Sequence, residues 1–272
     1  MRTISLFKVK PGAHARAATA RRQTLLFGLL LIVHATSMTT ACQDSPSDGN
    51  SLTPVGSGER PEGADADAND LFLAAVRQGD LAKVRSSLAS GEASIKARDG
   101  LGSSALLLAV RKTEQMPLVR FLYTADPGAL NAGDGRERTP LSWAAHFDRA
   151  AIAKYLLEQG ALVEQADRAG NTPLAYAAMR DSKATAKLLL QKGAAVNHRN
   201  NLCDTPLMFA AAKGHVEMTR LLTQNGADPG YEDQEGRTVH DRLGHLDADK
   251  RARIEAILKD APRPATRPAC EN

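Results

Sequence analysis

The first 41 residues lack acidic side chains altogether, yet carry six basic ones: Arg2, Lys8, Lys10, Arg16, Arg21 and Arg22. An uninterrupted apolar stretch, Leu25 to Val33, comes after them, which is the layout of a secretory leader that is later removed. The chain has no longer apolar run there. Those residues extend about 14 Å as a helix against a hydrocarbon core of about 30 Å, which argues against a permanent membrane span. Without the leader, the formal charge of +4 for 272 residues falls by its six cations to −2 for residues 42 to 272. Bulk charge therefore gives no case for nucleic acid. No HExxH, GxSxG, P-loop or dinucleotide-binding glycine pattern is present, which argues against the enzyme classes built on them. His240 and His245, five residues apart, complete no metal-site motif, and neither a metal nor another cofactor is expected.

The residues just beyond the apolar run are chemically distinctive. Met38-Thr39-Thr40-Ala41-Cys42 resembles the lipobox of bacterial lipoproteins, with Thr39 where that family prefers leucine. The resemblance implies a diacylglyceryl group on Cys42, an acylated amine, and a membrane contact through several acyl chains, which anchor far more firmly than one. Gln43 in place of Asp points to the outer membrane by the same resemblance. The alternative is cleavage near Ala41 that leaves a soluble periplasmic protein. From Gln43 to Asp67 the chain is dense in Ser, Gly, Pro and Asp and has little to bury, so residues 42–68 are expected to be a flexible tether. Within and just beyond it, residues 65 to 70 imitate the start of a calcium loop. Asp70 and Val76 stand where Gly and Glu are needed, and calcium is not expected.

Beyond residue 98 the sequence repeats. The stretches beginning Arg138-Thr139-Pro140, Asn171-Thr172-Pro173 and Asp204-Thr205-Pro206 superimpose, with Thr139, Thr172, Thr205 and then Thr238 each 33 residues apart. A threonine before a proline suits a helix start, since the hydroxyl caps free N–H groups and proline has none to lose. Ala144/Ala145, Ala177/Ala178 and Ala210/Ala211 allow close helix approach, while Leu156/Leu157, Leu188/Leu189 and Leu221/Leu222 fill the seams. Gly160, Gly193 and Gly226 end each second helix.

This pattern resembles the ankyrin repeat over residues 69 to about 260. The resemblance implies an all-α solenoid of helix–turn–helix units with hairpin-like fingers. Units are expected at 99–133, 134–166, 167–199 and 200–232, capped by 69–98 and 233–260, with a disordered tail over 261–272. Caps are needed because a repeat buries its apolar face only against a neighbour. In the last unit Lys250, Arg251 and Arg253 are expected to turn outward. The family's TPLH histidine is replaced by Leu107, Ser142, Ala175, Met208 and Asp241, so a less regular hydrogen-bond ladder is expected, with more reliance on apolar burial. Trp143, Tyr176 and Phe209 share one position per repeat and read as packing residues. His215, in the family's Gly-His position, reads as structural. Cys203 and Cys270 invite a disulfide in an exported chain. Nothing in the sequence fixes the tail's path, however, and the expectation is free thiols, with Cys203 exposed in a finger.

Ankyrin domains generally bind proteins through the fingers and first helices, on a concave face. The positions so implied include Ser103, Arg111 and Lys112; Arg136, Arg138, His146 and Phe147; Arg168, Asn171, Met179 and Arg180; and Asn201, Asp204 and Lys213. Among the charged ones Arg and Lys far outnumber acids although the chain beyond the leader is mildly negative, which suggests a partner protein with an acidic segment. A monomeric, non-catalytic interaction module displayed at the periplasmic face of the envelope is the favoured reading. Some similar exported ankyrin proteins are associated with oxidative-stress protection, which extends the resemblance to a stabilising role. The alternative is a secreted effector acting on another cell's protein.

Overall fold

The computed structural model describes residues 64–261, all within one compact unit. The leader, Cys42 with its lipid, the tether before Ala64 and the tail from residue 262 lie outside the described residues. Eleven α-helices are found among the described residues, mostly as antiparallel pairs: α1 Ala64–Gln78 with α2 Leu81–Ala89, α3 Ala105–Lys112 with α4 Met116–Ala125, and α5 Pro140–His146 with α6 Ala150–Glu158. The series continues with α7 Pro173–Arg180 and α8 Lys183–Gln191, then α9 Pro206–Ala212 and α10 Val216–Gln224, and closes with a short turn at His240–Arg242 and α11 Ala248–Lys259. First helices pack in the order α1, α3, α5, α7, α9, and second helices α6, α8, α10, α11 form the other layer. No strand occurs among the described residues. One antiparallel bridge, Arg98 to Ser104, closes a finger.

Local chemistry accounts for these boundaries. Ser104, Thr139, Thr172 and Thr205 each accept a hydrogen bond from the N–H three residues on, at Leu107, Ser142, Ala175 and Met208. Past each second helix, Gly160, Gly193 and Gly226 adopt φ of +94°, +86° and +90°. The next N–H, from Ala161, Ala194 or Ala227, then reaches back to the carbonyl of Leu156, Leu189 or Leu222. The alanine pairs are fully buried, as are Leu106, Leu141, Leu174 and Leu207 on the first helices and Leu156, Leu189 and Leu222 on the second. A continuous aliphatic core results. At about 1.5–3 kcal/mol for each buried leucine, this stripe of side chains dominates the stability of the stack.

Several expectations change in detail. α1 begins at Ala64, so residues 64–68 are helical where the sequence reads as tether, and the calcium-like stretch forms the first turns of that helix. The TPLH positions Leu107, Ser142, Ala175 and Met208 are buried and three are apolar, which places burial where the family's histidine ladder would run. A different ladder runs along the other edge. The N–H of Gly135 donates to Leu101 O (2.7 Å), Arg168 to Arg136 O (3.0 Å), Asn201 to Ala169 O (3.0 Å) and Gln234 to Leu202 O (3.2 Å), one backbone bond between each pair of fingers. Hydrogen bonding between repeats is thus regular, at the fingertips. Arg251 does not turn outward: it is half-buried and donates to the carbonyls of Leu243, Gly244 and Leu246, tying α11 to the loop before it.

Candidate interaction surface

Each finger is built on one side chain. Asp99, Asp134, Asp167, Asn200 and Asp233 accept, through a single oxygen, the N–H groups two and four residues on, at distances of 2.8–3.2 Å. Three residues past each of these the backbone turns left-handed, at Gly102, Glu137, Gly170, Cys203 and Gly236. At three of the five fingers the residue nine positions on reaches back to this side chain. Trp143 Nε1 donates to Asp134 (3.3 Å), the Tyr176 hydroxyl to Asp167 (2.5 Å), and Arg242 to both Asp233 and Asp204. Where the finger residue is the neutral Asn200, the corresponding side chain is Phe209, which has nothing to donate. The shared aromatic position is therefore half packing and half strut, holding finger to helix. Sequence reading found the position but not its polar role, because the partner nine residues back is visible only once the finger is folded.

These contacts set the carboxylate chemistry. Burial alone would raise the Asp134 carboxyl. The Arg138 guanidinium and the N–H groups of Arg136 and Arg138 outweigh it and hold the group below the usual carboxylate range. The same opposition at Asp233 ends lower, at about 2, because Arg242 and Arg237 both bond it together with two N–H groups. Burial pushes the Tyr176 hydroxyl up, reinforced by its bond to Asp167, so it stays a donor.

The first-helix face of the second and third full repeats gathers most of the expected residues. Trp143 lies against two guanidiniums, Arg138 at 4.4 Å and Arg111 at 5.1 Å from its ring centre. It stacks on Phe147 (5.7 Å), and the His146 ring meets Trp143, Phe147 and Tyr176 at 5.4, 4.8 and 6.0 Å. Burial lowers the basicity of His146, and the charges of Arg180 and Arg138 lower it further. Arg111 Nη1 and His146 Nδ1 are buried without a hydrogen-bond partner. Met179 is half-buried at the end of α7, and its carbonyl accepts from His215 (3.3 Å). That contact gives His215 a structural task, shared by His245, which donates to Ala212 O at 2.7 Å.

The expected cations divide into two groups. Arg138 is spent on Asp134 (2.8 Å) and Arg168 on the exposed Glu137 (3.1 Å). Arg111, Lys112, Arg136, Arg180 and Lys213 make no ion pair among the described residues. Two polar residues of the expected set are occupied by stacking: Asn171 accepts from Asn200, and Asn201 donates to Arg168 O. Two others are not surface positions, since Ser103 and Asp204 are buried, one beneath the finger and one in the ion cluster with Arg242. Cys203 departs furthest from expectation. It is buried and disulfide-bonded, and the other cysteines of the chain, Cys42 and Cys270, lie outside the described residues. Among the described residues no group of three or more His, Cys, Asp or Glu is placed to hold a metal, and no helix is long and apolar enough to cross a membrane.

Repeated helix pairs, a two-layer stack and a row of fingers along one edge define an all-helical repeat solenoid among the described residues. The chain belongs to the ankyrin-repeat family, whose model matches residues 71–167 and 161–233. It is also similar to palmitoyltransferase AKR1 of Lachancea kluyveri, at 31% identity over 148 residues that cover 48% of this chain. The match spans only 20% of that longer protein.

Proposed function

We propose that this chain is a non-catalytic interaction module of the bacterial cell envelope that captures an acidic segment of a partner protein on its finger and first-helix face. The observation that carries the reading is the set of unpaired cations on that face, Arg111, Lys112, Arg136, Arg180 and Lys213, in a chain that is net negative beyond its leader. Each acts over a Debye length of about 8 Å at physiological salt, and charges of one sign spread along a face favour orientation and association rate over raw affinity. The leader-like N-terminus and the lipobox-like sequence at Cys42 support display at the periplasmic side of the outer membrane, as a monomer held by its lipid. A stabilising, stress-protective role for the partner is in keeping with similar exported ankyrin proteins.

Photo-crosslinking in intact cells tests the reading. A crosslinker at Arg136 in the full chain is expected to trap a discrete envelope protein, whereas one at Lys187, on a second helix, traps none. Equal yields from both positions would refute a partner face. Palmitate labelling of wild type against Cys42→Ser reports the anchor, and an unlabelled protein recovered in the medium would favour a secreted effector instead.

A further inference from the structure

The unpaired cations of this face are not equivalent. Lys112, Arg136 and Lys213 are solvated, but Arg111 is half-buried against the ring of Trp143 and keeps a buried Nη1 without a partner. A few ångströms along the same ring, His146 keeps a buried Nδ1 without a partner. Unmade hydrogen bonds of buried donors are costly, and two in one cluster mark capacity that the folded chain leaves unused. Arg180 stands one turn beyond Tyr176 on α7, on the side of that helix whose ring meets His146 at 6.0 Å, and is itself exposed without an ion pair. The neighbouring acids are committed: Asp134 to Arg138 and Trp143, Asp167 to Tyr176.

Resting on the reading of an interaction face, we propose that Arg111, His146 and Arg180 form an anchor subsite around Trp143 that takes one carboxylate side chain of the partner segment. The guanidiniums and the imidazole supply donors to the carboxylate oxygens, while the rings of Trp143 and Phe147 exclude water and strengthen those bonds. A peptide carboxylate suits the site better than a nucleic-acid backbone. A backbone charged at every unit would meet the exposed fingertip acid Glu137 beside Arg168, which a single side-chain carboxylate seated at Trp143 avoids. The subsite is also proton-coupled. His146 faces Arg138 of its finger, Tyr176 and Arg180 of α7 and Trp143 of its own helix, and no carboxylate bonds it, so it is neutral at pH 7. A bound carboxylate raises its proton affinity, and by linkage capture tightens as pH falls toward 6.

Trp143 is the single tryptophan of the chain, so its fluorescence reads this subsite alone. Titration of the full chain with short poly-L-glutamate is expected to give a saturable change that is stronger at pH 6 than at pH 7.5. Arg111→Gln and Arg180→Gln are each expected to weaken it about tenfold, the loss of one charge-assisted hydrogen bond. Arg111→Lys should recover only part of that, and His146→Asn should abolish the pH dependence while leaving binding at pH 7.5. Circular dichroism confirms folding, and Arg180, being exposed, serves where Arg111 variants unfold. If Arg111→Gln and Arg180→Gln bind like Lys154→Glu with Lys187→Glu on the second helices, the anchor is refuted. So it is if a deoxythymidine oligomer saturates the signal at lower concentration than poly-L-glutamate. Should the crosslinked partner persist in Arg111→Gln cells at wild-type yield, the interaction face stands and the anchor falls.

Discussion

Four non-glycine residues among those described adopt left-handed backbone: Glu137, Cys203, Asp148 and Asp181. The last two occupy the same place in successive repeats, between first and second helix, where the next repeat has Gly214 at φ +72°. Asp148 and Asp181 nevertheless differ in what they do. Asp148 Oδ1 accepts from both the N–H and the hydroxyl of Thr185 in the following repeat, at 2.9 and 3.0 Å. Asp181 Oδ1 is buried with no partner, and its other oxygen meets only the exposed Lys183. The same substitution should therefore have opposite signs. Asp181→Gly is expected to stabilise by about 0.5–1 kcal/mol, relieving the left-handed strain and an orphaned oxygen, while Asp148→Gly costs about 1 kcal/mol or more through two lost bonds. Urea denaturation of the two variants against wild type checks this, and a shared sign would refute it. Periodicity alone aligns these residues with Gly214, yet nothing in the sequence separates them. Their difference lies in whether Thr185 stands opposite, which is a property of the stack.

The finger is an element whose stability is written in carboxylates. Asp99, Asp134 and Asp233 are each pushed up by burial and pulled down further by N–H groups and guanidiniums, so the folded state holds them ionised below the ordinary value of 3.8. A depressed folded pKa gives stability that is complete above the unfolded value and lost as pH falls through the folded one. For Asp233, at about 2, that window runs from about pH 4 down to pH 2 and is worth about 2 kcal/mol. Denaturant melts across that range should show a steep loss that Asp233→Asn flattens, since it removes the titrating group at a cost already present at pH 7. The fourth finger supplies an internal comparison because Asn200 makes the same two backbone bonds without a charge. Helix starts, helix ends and the 33-residue unit were all legible, since threonine, proline and glycine act through local geometry. The finger's aspartate was not, since an aspartate in a loop reads as solvated until its four-residue turn closes on it.

For the whole molecule, each repeat completes the core of the next. Leu189 is fully buried and Leu162 is 57% exposed. Leu189→Asp is expected to cost about 4 kcal/mol or more by leaving a charge unpaired in the seam, and Leu162→Asp to stay within about 0.5 kcal/mol. Comparable losses in thermal melts would mean that the stack is not held by its aliphatic stripe. The architecture was the most legible feature of the sequence because it repeats. The disulfide at Cys203 was the least, since pairing depends on where distant segments of chain run. The aromatic and cationic cluster fell between: its residues could be placed on one face, but which cations were already spent on neighbours could not.

Along the edge of the solenoid adjacent fingertips share one peptide hydrogen bond, with side-chain bonds beside it at three of the four junctions, while the helices behind them share a wide aliphatic contact. Mechanically this makes the helical layers the stiff spine and the fingertip row the compliant margin. Bending the molecule loads these junctions before it loads the core, and the first of them, at Gly135, has the fewest bonds to lose. The junction between Leu101 and Gly135, which has the peptide bond alone, is then the place where the spacing of fingertips changes most cheaply, without unfolding any repeat.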